Sequence, residues 1–214
     1  LERRDLRELD TFTVDPVSAR DFDDAVSASK TPDGTRLWIH IADVAAHVRP
    51  GGALEAEAYG RANSTYVPGT VEPMLPHVLS SEACSLVPGE DRLAVTAEIE
   101  LSEAGEPRSA SFYRSRIRSD ARLNYGEIDD VFAGRKRTPD LVAEPIDLAR
   151  KAAAALADRR SEGALQVSSA EPEFRFENGD VVAAEAVEQT ESHRLIEQLM
   201  VLTNERVAEL EERR

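Results

Sequence analysis

Four aspartates fall within the ten residues Asp15-Pro16-Val17-Ser18-Ala19-Arg20-Asp21-Phe22-Asp23-Asp24, the last three standing six, eight and nine positions after the first. Gathering four carboxylates in one loop costs mutual repulsion unless solvent screens it or a cation takes up the charge. Carboxylate oxygens are hard ligands, suited to Mg²⁺, Mn²⁺ or Ca²⁺ rather than to zinc. A loop of this length can fold back on itself. Asp15 and a later aspartate could then share one ion while the remaining pair holds or positions a second. Aspartates also favour turns and helix N-caps with no chemistry attached.

Spacing separates the sharper alternatives. An EF-hand starting at Asp21 would want Gly where Val26 stands and Glu where Pro32 stands, so it fails. A phosphatase of the haloacid-dehalogenase type wants Asp-x-Asp directly after a buried apolar strand, and here Pro16 to Arg20 intervene. A zinc site would need Cys and His partners nearby. The four histidines (His40, His47, His77 and His193) are scattered and read as structural, and Cys84 reads as core. A second cluster is basic: Arg108, Arg114, Arg116, Arg118 and Arg122 stand against the single Asp120 within fifteen residues, interleaved with Phe112 and Tyr113. Arg114, Arg116 and Arg118 alternate, so on a strand they share one face, either a phosphate-tracking strip or a solvated hairpin edge.

Bringing these residues together requires a chain that turns back repeatedly. Thr11-Phe12-Thr13-Val14 reads as a strand that Asp15-Pro16 ends. The acidic loop then leads into Ala25-Val26-Ser27-Ala28. The turn Thr31-Pro32-Asp33-Gly34-Thr35 feeds the apolar strand Leu37-Trp38-Ile39-His40-Ile41-Ala42, which predicts an antiparallel hairpin. Residues 53–63 read as a short helix. Residues 67–76 carry Pro68, Gly69, Pro73 and Pro76 and read as an ordered loop, and helical character returns over residues 79–86. A second hairpin is expected from residues 93–99 and 109–117 around Ala104-Gly105-Glu106, and a third at Asn178-Gly179. Residues 146–160 form an Ala-rich helix ending at Gly163. From Ser192 a last helix presents Ile196, Leu199, Met200, Thr203, Val207 and Leu210 on one face. Without βαβ alternation the expectation is an α+β fold, antiparallel hairpins and a mixed sheet packed with helices.

Composition bounds the function. With 41% hydrophobic and 31% charged residues the chain suits a globular domain, and no apolar run approaches the roughly 20 residues a membrane helix needs. The start, Leu1-Glu2-Arg3-Arg4-Asp5, lacks the apolar core of a signal peptide, and a lone cysteine points to a reducing compartment, with cytoplasm the expectation. The missing initiator Met, and a last helix running uncapped to Arg214, predict a piece of a longer polypeptide. Lys plus Arg is 26 against 41 Asp plus Glu, a net −15, so any nucleic-acid contact must be local.

The acidic loop, with Thr13-Val14 before it and Ala25-Val26 after it, closely resembles the signature of the ribonuclease II / ribonuclease R (RNB) catalytic domain. Further segments agree in the same order. Ile39-His40-Ile41-Ala42-Asp43-Val44 is similar to the strand that follows the signature in that family. Ser64-Thr65-Tyr66-Val67-Pro68-Gly69 with Pro73-Met74-Leu75-Pro76 resembles its loop with a base-stacking tyrosine. Leu79-Ser80 with Cys84-Ser85-Leu86 resembles its following helix, and His193-Arg194-Leu195-Ile196-Glu197-Gln198-Leu199-Met200 its late helix. The resemblance spans nearly the whole chain.

What it implies is a 3′-to-5′ exoribonuclease that releases nucleoside 5′-monophosphates from single-stranded RNA with metal-activated water, the metal being Mg²⁺ with Mn²⁺ possible. By the family pattern Asp15, Asp21, Asp23 and Asp24 are the catalytic and metal-binding carboxylates, with Asp23 the least replaceable. Tyr66 would stack on the 3′-terminal base, and Glu197 would contact a terminal sugar where its 2′-hydroxyl distinguishes RNA from DNA. Arg114 and Arg116 are the candidates for phosphate contact. The sequence also departs from the family. Val167 aligns where some relatives place a second clamping aromatic, and the later arginine motif that contacts the scissile phosphate has no match before Arg214. Neither cold-shock-like domains nor an S1 domain is present, so residues 1–214 correspond to the N-terminal part of the catalytic domain and its remainder is needed. No obligate protein partner is implied. The alternatives are a catalytically silent RNA-binding relative and, further off, a metal-dependent phosphatase.

Overall fold

In a computed structural model, which describes residues 2–67, 70–161, 172–177, 180–186 and 189–213, a single large sheet forms the frame. Its strands are β1 (Arg4–Asp5), β2 (Thr11–Asp15), β3 (Asp24–Thr31) and β4 (Gly34–Ala42). A short helix, α1 (Ala53–Arg61), and a small hairpin, β5 (Thr65–Val67) with β6 (Thr70–Glu72), follow. Then come β7 (Asp91–Ser102), β8 (Pro107–Arg118), β9 (Ala121–Asn124) and the helices α2 (Tyr125–Phe132) and α3 (Ala143–Ser161). The hairpin β10 (Pro172–Glu177) with β11 (Asp180–Ala186) and the long helix α4 (Glu191–Glu212) complete the described elements.

The seven strands run in the order β1-β8-β7-β4-β3-β2-β9. The hairpins β3–β4 and β7–β8 are antiparallel as expected, and so are the pairs β4–β7 and β2–β3. The two outer strands are parallel to their neighbours, β1 to β8 and β9 to β2, which makes the sheet mixed. This confirms the α+β expectation and adds an edge strand, β9, that the sequence reading did not anticipate.

The two faces of the sheet are built differently. On one, Phe12, Val14, Val26, Leu37, Ile39, Ala97, Ile99 and Leu101 pack under the buried stripes of α3 (Ile146, Ala149, Ala152, Ala153 and Leu156) and of α4 (Leu195, Ile196, Leu199 and Leu202). The stripe on α4 drifts from the expected one, since Val207 and Leu210 are exposed and Leu202 is buried in their stead. The other face carries a buried polar chain across five strands. Thr11 Oγ1 lies 2.7 Å from Ser27 Oγ, which lies 3.2 Å from His40 Nε2. His40 Nδ1 lies 2.8 Å from Thr96 Oγ1, and Thr96 Oγ1 lies 2.6 Å from Ser115 Oγ. Burial pushes the His40 imidazole down to about 3, so it is the neutral link of this chain.

Beside the polar chain a second apolar cluster joins Ala25, Ala42, Ala94 and Ile117 of the sheet to Phe22, Cys84 and Leu86 from the loops. Two expectations change here. The proline-rich stretch is not irregular throughout, because Tyr66 pairs with Val71 in the β5–β6 hairpin. The helix expected over 79–86 is a π-helix over Val78–Ala83, after which the chain leaves helical geometry to meet the acidic loop. Gly163, Val167 and the Asn178-Gly179 turn lie outside the described residues.

Candidate active site

Asp15 is the last residue of β2, and its register partner on the parallel strand β9 is Asn124. Asn124 caps α2 reciprocally. Its side chain accepts from the Glu127 backbone N–H at 2.9 Å, and the Glu127 carboxylate accepts from the Asn124 backbone N–H at 3.2 Å. This places Tyr125, the first residue of α2, beside the acids. Burial, then the Asp24 and Asp15 carboxylates, push its phenol up to about 12, so the hydroxyl stays protonated and able to donate. The Tyr125 ring stacks on His193 with centroids 3.9 Å apart, and His193 Nδ1 lies 2.7 Å from Thr190 Oγ1 at the start of α4.

The acidic loop is pinned along its whole length. The Ala19 N–H donates to the Pro16 carbonyl at 3.0 Å. The Phe22 N–H donates to the buried Ser85 hydroxyl at 2.9 Å, and the Leu86 N–H donates to the Phe22 carbonyl at 2.8 Å. Phe22 itself is buried beside Cys84 and Leu86, and the Ala42 N–H donates to the Asp23 carbonyl at 2.9 Å. The chain after the π-helix therefore serves as the loop's backing. On the other side Arg122, a member of the basic cluster in sequence, lies on edge strand β9 with its guanidinium turned onto the loop. Ser119 and Asp120 separate β8 from β9, and after them the chain pairs with β2 rather than with β7.

These restraints hold the carboxylates in a costly arrangement. Asp15 is 8% exposed, and its Oδ2 is buried with no hydrogen-bond partner. Burial first, with help from Asp24 and Asp21 and against the pull of Thr13 and Arg122, lifts its carboxyl to about 6. Asp24 also rises to about 6 through burial and the neighbouring Asp23. Asp23 is raised by burial and by Asp21. Among the described residues no three His, Cys, Asp or Glu side chains form a ready-made cation cage. The donor set nonetheless fits a hard divalent ion: it is all carboxylate, mutually repelling, and includes a buried oxygen with nothing to accept from.

The other predicted residues are placed as follows. Glu197 is exposed on α4 one turn after His193, hence on the stripe that meets Tyr125. Tyr66 has its backbone in the separate β5–β6 hairpin, and its side chain lies outside the described residues. The register puts Asp24, Ile41, Val95 and Arg114 in one row across β3, β4, β7 and β8 on one face. At about 4.8 Å per strand the row spans roughly 14 Å from the Asp24 backbone to that of Arg114. Ile41 and Val95 between them are 37% and 38% exposed, an open apolar shelf. Arg114 Nε lies 3.6 Å from Oδ2 of Asp43, a nearly buried carboxylate that Arg3 also grips at 2.6 Å. Arg116 is exposed on the same face as Arg114, whereas Arg118 is tied to Asp91 at 2.6 Å.

Sequence reasoning missed Tyr125, Ser85, Asp43 and the true role of Arg122. Only the first had a local signal, because Asn124 followed three residues later by Glu127 is a helix-start pattern. The others act through contacts between segments far apart in the chain.

Fold and site together define an α+β domain built to hold clustered carboxylates at the end of a mixed sheet, beside an open strip of that sheet. The RNB domain matches residues 3–213, and the chain belongs to that family. It is 40% identical over 217 residues to ribonuclease R of Vibrio parahaemolyticus serotype O3:K6, covering 99% of this chain and 26% of the relative. It is 41% identical over 213 residues to ribonuclease R of Aquifex aeolicus, covering 96% of this chain and 30% of that protein. The chain thus spans under a third of the length of these curated relatives. Among solved structures, Mycoplasma genitalium RNase R in complex with ribose methylated single-stranded RNA superposes with a TM-score of 0.94 at 30% identity, covering 97% of this chain and 33% of that one.

Proposed function

We propose that this chain is the acid-bearing, N-terminal part of the catalytic domain of a cytoplasmic 3′-to-5′ exoribonuclease, hydrolysing single-stranded RNA to nucleoside 5′-monophosphates. The observation that carries the reading is the Asp15–Asp24 pair. Both carboxyls are raised to about 6 and Asp15 Oδ2 is left without a partner, an arrangement that a bound divalent cation would relieve at neutral pH. The ribonuclease R relatives, and the RNA complex of Mycoplasma genitalium RNase R, support RNA as the substrate.

In the proposed reaction water adds to the phosphorus of the terminal phosphodiester, the bond from phosphorus to the 3′ oxygen of the penultimate nucleotide breaks, and that oxygen takes up a proton. Asp15, Asp21, Asp23 and Asp24 would hold Mg²⁺ or Mn²⁺, which lowers the pKa of bound water and neutralises charge on the phosphate oxygens. The Tyr125 hydroxyl, kept protonated, donates to an oxygen of the sugar or phosphate. Glu197 accepts from a terminal 2′-hydroxyl, and Tyr66 stacks on the last base. Upstream RNA crosses the Ile41–Val95 shelf, where Arg114, steadied by Asp43, and Arg116 meet its phosphates. The rest of the catalytic domain completes the site, and no other protein partner is required.

The test is a 5′-labelled single-stranded oligoribonucleotide with Mg²⁺, given to the full-length protein that carries this chain and to its Asp23→Asn variant. A ladder shortening from the 3′ end that the variant abolishes is the expected result. RNA bound but uncut by both proteins would leave a silent RNA-binding module. Hydrolysis of a mononucleotide phosphate in preference to RNA would make the protein a phosphatase.

A further inference from the structure

Arg122 sits on β9, the outer edge of the sheet, as register partner of Thr13. One of its terminal nitrogens, Nη2, donates to the Pro16 carbonyl at 3.2 Å, to the Val17 carbonyl at 3.0 Å and to the Ala19 carbonyl at 3.5 Å. Its guanidinium carbon lies 4.9 Å from the centre of the Phe22 ring. The same group thus touches four of the eight residues between Asp15 and Asp24. The hydrogen bonds of Nη2 all go to backbone carbonyls and none to a carboxylate of the loop.

The bonds to Ser85, Leu86 and Ala42 pin the loop at Phe22 and Asp23, whereas over residues 16–19 Arg122 adds to a single turn bond, from the Ala19 N–H to the Pro16 carbonyl. The carbonyls of Pro16, Val17 and Ala19 belong to no strand or helix, and the carboxylates at either end repel each other. A cation at the carboxylates would draw the loop together from the acid side, whereas Arg122 draws it together from the carbonyl side. We propose that Arg122 is a positioning residue that folds the acidic loop before any divalent ion arrives, so that ion binding need not supply the ordering of the loop. The inference rests on the reading of the acidic loop as a metal-binding site. Arginine suits the task because it presents several N–H donors from one planar group, whereas lysine offers a point charge on a flexible stem.

The consequence is a split between affinity and rate. Losing Arg122 should make the ion harder to bind and leave the chemistry of the loaded site intact, since the guanidinium is bonded to the loop backbone rather than to a carboxylate. The experiment measures Mn²⁺ binding directly by electron paramagnetic resonance, alongside the Mg²⁺ dependence of RNA cleavage, in the full-length protein and its Arg122→Gln, Arg122→Lys and Arg118→Gln variants. Arg122→Gln is expected to weaken Mn²⁺ binding about tenfold and raise the half-saturating Mg²⁺ in step, while the rate at saturating Mg²⁺ returns to within about twofold of the unmodified protein. Arg122→Lys should recover part of the affinity, and Arg118→Gln, which breaks only the pair with Asp91, none should be lost from. Exchange of the amide hydrogens of residues 16–21 in metal-free protein should quicken in Arg122→Gln and not in Arg118→Gln. Unchanged Mn²⁺ affinity in Arg122→Gln, or a rate deficit that saturating Mg²⁺ does not recover, overturns the proposal. No Mn²⁺ binding by the unmodified protein would instead overturn the metal-site reading, and this proposal with it.

Discussion

Asp15 and Asn124 stand opposite each other at the ends of two parallel strands, one carrying a carboxylate and the other the cap of a helix. That pairing brings the acidic loop to the start of α2 and sets the Tyr125 phenol beside Asp15 and Asp24. A parallel pair needs a long crossover between its strands, and here the crossover is most of the sheet itself.

The carboxyl values set a pH dependence. Asp15 and Asp24 have folded values of about 6, above the ordinary aspartate value of 3.8, so the folded state holds protons that the unfolded state has released. Metal-free protein should therefore lose stability as pH rises from about 4 through 6, each raised group contributing at most about 3 kcal/mol. Saturating Mg²⁺ should restore stability at pH 7 and add little at pH 4. Urea titrations at both pH values, with and without Mg²⁺, check this, and a flat metal-free profile would contradict it.

Asp15→Asn should exchange function for stability. The amide removes a buried charge whose Oδ2 has no partner, so metal-free protein at pH 7 should gain about 1–3 kcal/mol. The same change should remove most divalent-ion affinity. Thermal melts in chelator paired with Mn²⁺ binding would show the two effects moving in opposite directions.

The polar chain on the far face makes His40 a point of fragility. His40→Leu takes one partner from each of the buried Ser27 and Thr96 hydroxyls, which keep Thr11 and Ser115, and should cost about 1–3 kcal/mol. Because the chain crosses β2, β3, β4, β7 and β8, the loss should appear as one cooperative shift of the unfolding midpoint.

The shelf predicts a length dependence. Arg114→Gln should weaken binding of oligoribonucleotides long enough to cross the roughly 14 Å from the acids, and barely affect dinucleotides. It should also lower the salt slope of binding by about one. Anisotropy titrations over a series of lengths and salt concentrations would reveal equal losses at every length if Arg114 served the fold alone.

Much of this was legible in the chain. Period-two apolar runs and the Pro-Asp-Gly and Gly105 turns marked the hairpins, and the four aspartates marked the loop, because those signals are local. The π-helix over Val78–Ala83 was read as an ordinary helix, since the two share the same apolar spacing over so short a run. Arg122 falls in the same basic cluster as Arg114, Arg116 and Arg118, yet after the break at Ser119-Asp120 its strand pairs with β2, and adjacency in sequence carries no record of that change of partner.

The sequence by itself determined which residues could bind a hard cation, the hairpins around them and the family to which the chain is similar. Only the tertiary structure decided what surrounds those acids. The burial that lifts Asp15 and Asp24, the Tyr125 phenol set against them, the Ser85 and Arg122 donors that pin the loop and the row from Asp24 to Arg114 all come from segments that meet only in the folded sheet. Desolvation and hydrogen bonding depend on what packs against a group, and that is set by strand order rather than by position along the chain.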